Sequence, residues 1–151
     1  MEHSTTRVSR HTPTPINERI RSEIERNISC YAAGGPEAID KRLRELDREW
    51  DIERVLEANA ATLALLGLAL GRFLNRRFYA FPAVVATFLL QHAIQGWCPP
   101  VPLFRRMGVR TRTEIDYERY ALKALRGDFK EVSGNGGEYS DYGRLVHIVQ
   151  S

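Results

Sequence analysis

The sequence contains only two cysteines, Cys30 and Cys98, which lie far apart and without a CxxC spacing. Their scarcity excludes a disulfide framework and a cysteine-based metal clip. The amino-terminal stretch has no apolar core, so we do not expect a cleaved secretion signal there. The sequence also lacks a phosphate-binding loop, a Ser/His/Asp set, paired catalytic carboxylates and a metal-ligand cluster. We therefore expect a protein that is not an enzyme and that uses no metal or cofactor.

Charge is absent from one long stretch: no residue between Arg77 and Arg105 is formally charged. The overall composition, with 43% hydrophobic and 27% charged residues, is typical of a soluble protein. The placement of charge is therefore more informative than its amount. It separates two apolar segments, at residues 55–74 and 78–98, from flanks that are densely charged.

The second apolar segment is the stronger candidate for a membrane-spanning helix. As a helix, residues 78–98 would extend about 32 Å, and the hydrocarbon layer of a bilayer is about 30 Å thick. Aromatic residues lie near both ends, as they do at membrane interfaces: Phe78, Tyr79 and Phe81 at one end and Trp97 at the other. We expect Pro82 in the first turn, and Pro99, Pro100 and Pro102 to end the helix.

The first apolar segment is shorter, since its uncharged part, residues 58–71, would extend only about 21 Å. Together the two segments predict an all-α fold, with a membrane-embedded two-helix hairpin flanked by polar amphipathic helices. The alternative is a soluble four-helix bundle in which the polar helices cover the two apolar ones. The predicted organisation is a flexible tail (1–15), a polar helical region (16–50), the hairpin with a C-terminal helix (51–129) and a glycine-rich tail (130–151).

Helical periodicity describes the flanks. Isoleucines recur every four residues at Ile16, Ile20, Ile24 and Ile28, which predicts an amphipathic helix ending near Ala33. Its polar face mixes acids with arginines, which favours packing on its own domain over lying on a membrane surface. A second polar helix is expected over residues 36–50.

Capping residues indicate further helix ends. Asp51 is a candidate N-cap, Thr111 and Glu114 fit a capping box, and Gly127 is a candidate C-terminal stop. Along this last helix we expect an apolar row of Tyr117, Ala121, Leu125 and Phe129, with Ile115 and Leu122 beside it. Residues 145–149 could form a short strand or be disordered.

Small residues follow one face of the first apolar helix: Ala60, Ala64, Gly67 and Gly71. Small residues allow close approach of helix backbones in lipid. The face could pack against the other helix of the hairpin, which we favour, or mediate a homodimer.

Polar residues interrupt the second apolar helix at Gln91, His92 and Gln95. Polar groups at membrane depth are costly and often functional. We favour hydrogen bonds across the hairpin, with Asn59 and Thr62 as candidate partners, over a haem or proton-relay role. Cys98 follows at the membrane rim and would be a reactive thiol only if nearby cations lowered its pKa.

Arginine placement bears on orientation and partners. Residues 105–112 hold four arginines and no acid, and beside an apolar segment lipid headgroups are a better partner than nucleic acid. The hairpin loop contains Arg72, Arg76 and Arg77, and the flanks together contain more arginines. This count favours both termini on the cytoplasmic side.

Residues 50–129 resemble a bacterial family of unknown function related to the YgaP-like inner-membrane transmembrane domain. The similarity rests on the WDIER start, the two apolar helices and the run GWCPPVPLFRRMGVRT, which places Cys98-Pro99, Met107-Gly108 and Thr111 at the family's positions. The resemblance implies an inner-membrane hairpin, which some relatives join to a rhodanese sulfurtransferase domain. No such domain fits in residues 1–50.

These observations predict a small integral inner-membrane protein that acts as a scaffold or interaction module. Its expected partners are the lipid bilayer and a second copy or another membrane protein, without nucleic acid. The alternatives are a soluble helical interaction domain and a membrane accessory in thiol or sulfur chemistry working through Cys98.

Overall fold

A computed structural model describes residues 7–129 of the chain. All regular elements in this range are helical, which confirms the predicted all-α class. The helices are α1 (Arg7–Arg10), α2 (Thr14–Ala33), α3 (Pro36–Leu46), α4 (Ile52–Phe73), α5 (Ala80–Gln95), α6 (Val101–Arg106) and α7 (Arg112–Arg126). The predicted glycine-rich tail and the apolar residues 145–149 lie outside the described residues.

The chain divides into two compact units. Within the described range, the first comprises residues 7–23 and 49–115 and is called the hairpin unit. The second comprises residues 24–48 and 116–129 and is called the polar unit. Two of the three boundaries fall inside α2 and α7, and the third lies between α3 and α4.

The hairpin unit is built around α4 and α5. Asp51 caps α4 as expected, because its carboxylate accepts a hydrogen bond from the Arg54 backbone N–H at 2.8 Å. At the other end of α4, the backbone N–H groups of Leu74 and Asn75 both donate to the Leu70 carbonyl. A single 3₁₀ turn, Arg76–Tyr79, then leads into α5, so the two helices are joined by a very short connection.

Helix α5 is shorter than the sequence indicated. It ends at Gln95 because Gly96 adopts a left-handed conformation (φ 73°) and donates its N–H to the His92 carbonyl. The prolines therefore do not end this helix. Pro99 and Pro100 lead instead into the additional helix α6. As 16 residues, α5 rises about 24 Å, and the adjoining 3₁₀ turn adds to the apolar length.

Both hairpin helices, with the 3₁₀ turn included, are long and apolar enough to cross a membrane by length and composition. In the most apolar stretch of Ile52–Phe73 only 17% of residues are buried, and in that of Arg76–Gln95 none are. Large apolar side chains remain exposed on both helices: Leu65, Leu66, Phe73, Val84, Leu90 and Ile94.

The amino-terminal residues of the hairpin unit differ from the predicted flexible tail. Residues 7–10 are helical, and Val8 joins a buried cluster with Ile52, Leu56, Cys98 and Val101. The Arg7 guanidinium donates to the carbonyl of Ala93 at 2.6 Å. Anchoring by one apolar side chain and one arginine is too local to produce a periodic signal in sequence.

The polar unit confirms the amphipathic prediction only in part. Ile39, Leu43 and Leu46 form the buried side of α3, which ends before Trp50. On α7, Tyr117 and Leu125 of the apolar row are exposed, whereas Ile115 and Leu122 beside it are buried. Its buried residues here are Glu118, Leu122 and Lys123. Glu118 occupies the inner face because Arg42 pairs with its carboxylate at 2.7 Å, and a paired charge can be buried where a lone one cannot.

Candidate functional site

The small-residue face of α4 packs inside the hairpin. A Cβ atom built on Gly67 would lie 2.8 Å from Cδ of Pro82 and 2.9 Å from a ring carbon of Phe81. A Cβ on Gly71 would lie 2.8 Å from the Tyr79 ring. These contacts occupy both glycines within one chain, so the close approach that they permit is used between α4 and the residues that begin α5.

The other two small residues lie on the same side of α4. Ala64 is half-buried, and Ala60 lines a cavity of about 80 Å³ between α4 and α5. Gly67, Gly71 and Ala60 thus lie against residues of the same hairpin unit, and a role of this face in a homodimer stays a prediction.

Three of the six predicted polar or thiol residues line this cavity. Its walls are largely apolar, and His92 of α5, Asn59 of α4 and Cys98 contribute to the lining. The His92 Nδ1 atom is buried and finds no hydrogen-bond partner among the described residues. Thr62 is not the partner that the sequence suggested, because its hydroxyl donates to the Ala58 carbonyl at 2.8 Å.

The two glutamines lie elsewhere: Gln91 is half-buried and Gln95 is exposed. The structure thus brings His92 and Cys98 to one cavity and leaves Gln95 outside. No group of three His, Cys, Asp or Glu side chains within residues 7–129 is placed to hold a metal ion. Among the described residues, the cavity combines apolar packing with one imidazole nitrogen, Nδ1 of His92, that has no hydrogen-bond partner.

Cys98 is not placed as a reactive thiol. It is only 6% exposed, and this burial raises the pKa of its thiol above the ordinary value. Arg105, a cation close in sequence that could have lowered this pKa, pairs instead with the Glu114 carboxylate.

We expect Cys98 to react with iodoacetamide much more slowly than the exposed Cys30 in the folded protein in detergent, because the thiolate is the reactive form. Mass spectrometry of the alkylated peptides over time measures both sites, and Cys30 serves as the internal control. Alkylation of Cys98 at the rate of Cys30 or faster would restore the thiol-chemistry hypothesis.

Arg105 is the residue that the sequence analysis missed. It is completely buried (0% exposed), and all five of its N–H groups donate hydrogen bonds. Two go to the Glu114 carboxylate at 2.6 and 2.7 Å, and the others go to the Val109 carbonyl, the Asn17 side chain and the Thr12 hydroxyl. Such bidentate pairing is the strong form of an arginine–carboxylate contact.

Glu114 also forms a capping box with Thr111 at the start of α7, which confirms the prediction from the sequence. The Thr111 backbone N–H donates to its carboxylate at 2.8 Å, and the Glu114 backbone N–H donates to the Thr111 hydroxyl. Burial alone would raise the pKa of Glu114, but the hydrogen bonds from Arg105 and Thr111 outweigh it and hold the pKa below its usual range. The Glu114 carboxylate therefore joins the start of α7 to Arg105 of α6, and Arg105 in turn donates to Asn17 of α2.

The basic stretch 105–112 is accordingly not a uniform surface for headgroups or nucleic acid. Arg110 is also buried, and its guanidinium pairs with Glu49 at 2.5 Å. Arg112 is exposed and lies 3.5 Å from Asp51. The stretch does not present four exposed guanidinium groups, because Arg105 pairs with Glu114, nine residues away, and Arg110 pairs with Glu49, 61 residues away.

Comparison with protein-family models, with curated proteins and with solved structures found no match. The resemblance to the YgaP-like domain therefore stays a prediction.

Proposed function

We propose that this chain is an integral membrane protein whose hairpin of α4 and α5 lies in the bilayer and anchors the polar unit as an interaction module. The observation that carries the proposal is the exposure of α5: its apolar stretch has no buried residue. Soluble monomers rarely expose contiguous apolar surface on this scale, and the hydrocarbon of a bilayer would cover it without a partner protein.

The hairpin geometry supports insertion as a unit. The backbone hydrogen bonds of both helices are internal, which the bilayer core requires. The glycine contacts at Gly67 and Gly71 hold α4 and α5 together, so α4, with its short uncharged part, enters the membrane beside α5. By the resemblance, the membrane is the inner membrane of a bacterium, and the arginine count places both termini in the cytoplasm.

The polar unit supplies the proposed interaction surface. Ion pairs join its segments: Arg42 with Glu118, and Arg126 with Asp40 and Asp128. Among the described residues, His92 and Cys98 line the cavity of the hairpin unit without a charged side chain beside them, and we propose a scaffold or docking role and no enzymatic activity.

Carbonate extraction of membranes tests the proposal. We expect the full-length protein to stay in the membrane pellet and the variant Leu65→Arg to lose much of that retention. Leu65 is 67% exposed near the middle of α4, and a central arginine costs about 2.5–3.5 kcal/mol on insertion scales.

The matched control is Leu125→Arg, which makes the same chemical change at an exposed residue of the polar unit and is expected to stay in the pellet. Release of the unmodified protein by carbonate would establish the soluble interaction domain instead. Labelling of Cys30 by an impermeant maleimide in intact cells would contradict the proposed orientation alone.

A further inference from the structure

The connection between α4 and α5 carries an unbalanced positive charge. Arg72, Arg76 and Arg77 are all exposed, and none forms an ion pair with any residue in the range 7–129. The sequence has no acidic residue between Glu57 and Glu114, so no acid close in sequence can neutralise them. We call residues 72–79 the hairpin tip.

Three of the four arginines in residues 105–112 contrast with those of the tip. Arg105 and Arg110 are buried in ion pairs with Glu114 and Glu49, and Arg112 is near Asp51. The sequence counts all of these as equivalent positive charges. In the structure the tip holds three guanidinium groups whose hydrogen-bonding capacity is not spent on carboxylates.

The tip is also held in a defined shape. The Asn75 side chain accepts a hydrogen bond from the Arg77 backbone N–H at 2.9 Å, and the Asn75 carbonyl accepts one from the Phe78 N–H. The Tyr79 ring packs on Gly71. Three arginines are thereby confined to six consecutive residues at the end of the hairpin.

Apolar rings surround these arginines. Phe73 and Tyr79 are 78% and 43% exposed, and the Arg72 guanidinium lies 5.7 Å from the centre of the Phe73 ring. Aromatic rings at an interface combined with arginines beyond it are typical of the boundary between hydrocarbon and headgroups. The guanidinium group binds phosphate oxygens in a bidentate manner and is always charged.

We propose that the hairpin tip binds the phosphate groups of anionic phospholipids in the leaflet that it reaches, through Arg72, Arg76 and Arg77. This inference rests on the membrane insertion proposed above and adds lipid selectivity to it. An anionic surface attracts each nearby arginine with an energy equivalent to about a fivefold change in partitioning. The tip therefore prefers anionic over zwitterionic lipid.

The test uses the full-length protein carrying Phe73→Trp as a fluorescent reporter at the tip, with the signal of Trp50 and Trp97 subtracted by means of the parent protein. The protein is reconstituted in phosphatidylcholine vesicles containing brominated phosphatidylglycerol or brominated phosphatidylcholine as the quencher. We expect stronger quenching by the anionic lipid. The apparent affinity for the anionic lipid, divided by that for the zwitterionic lipid, should fall about fivefold on substitution of Arg76→Gln or of Arg77→Gln.

The control is Arg106→Gln, which removes an exposed arginine outside the tip and should leave the ratio unchanged. Equal quenching by both lipids, or a ratio that Arg76→Gln and Arg77→Gln leave unchanged, overturns lipid recognition while insertion stands. Quenching of the reporter by aqueous iodide, with no quenching by either lipid in carbonate-resistant protein, also overturns it and points to a water-soluble acidic partner. Failure to reconstitute together with carbonate release refutes the proposed function itself.

Discussion

Replacing Arg105 with leucine is expected to lower the free energy of unfolding by about 3–5 kcal/mol, the usual cost of removing one partner of a buried ion pair. The substitution leaves the Glu114 carboxylate without its two shortest hydrogen bonds, and it removes the bonds that Arg105 donates to the Asn17 side-chain oxygen and the Thr12 hydroxyl. For a chain of this length the midpoint of thermal unfolding should fall by roughly 10 °C. Thermal unfolding of the purified protein in detergent, followed by circular dichroism, measures the change.

Two control variants distinguish the loss of the Arg105–Glu114 ion pair from the general effect of removing an arginine side chain. Arg106→Leu alters the exposed neighbour and should change stability by less than about 0.5 kcal/mol. The double variant Arg105→Leu/Glu114→Leu removes both charges and should be more stable than Arg105→Leu alone, because no uncompensated carboxylate remains buried. A double variant as unstable as the sum of the single ones would show that the two residues act independently.

The same pair supplies a pH readout for this prediction. The folded-state pKa of Glu114 lies below its ordinary value of 4.5, so the folded state binds the proton less readily than the unfolded state. Its contribution is fully present above the unfolded-state pKa and is lost as the pH falls through the lower folded-state pKa. The acid-induced decrease in stability should therefore be shallower in Glu114→Gln than in the parent protein.

Replacing Gly67 or Gly71 with leucine is expected to separate α4 from α5 and to destabilise the hairpin by more than the about 1–3 kcal/mol typical of overpacking. Even the first carbon of the new side chain would lie within 2.8 Å of Pro82 or of the Tyr79 ring. A proline ring cannot rotate away, so the backbones must move apart. Unfolding in detergent measures the loss, and light scattering measures the oligomeric state.

Ala69→Leu is the matched control, since it enlarges a small residue on an exposed position of the same helix. It should leave stability nearly unchanged. If Gly67→Leu weakened self-association while the monomer kept its stability, the glycines would act in a dimer, contrary to their contacts within the chain.

Much of the fold could be predicted because its signals are local. The Asp51 cap and the Thr111–Glu114 capping box depend on side chains within three residues of the groups they bind. The stretch without charge around α5 is likewise visible in the sequence. The end of α5 was misjudged by three residues, because Gly96 stops the helix before the prolines do.

The candidate site was predicted less well, because its contacts join distant segments. Arg105 meets Asn17 and Thr12 across more than eighty residues, and no spacing rule connects such positions. Arg110 and Glu49 are also far apart in sequence. A single sequence shows where the arginines and the acidic residues lie along the chain, but it does not show which of them form ion pairs.

The sequence by itself determined where the apolar hairpin lies. No residue between Arg77 and Arg105 is charged, and such a stretch suits an apolar environment because an unpaired charge is costly there. Only the tertiary structure decided how the remaining charges are used. It buries Arg105 against the nearby Glu114 and Arg110 against the distant Glu49, and it leaves the tip arginines exposed. The reason is that apolar patterning is a property of neighbouring residues, whereas the pairing of buried charges depends on which distant segments the fold brings together.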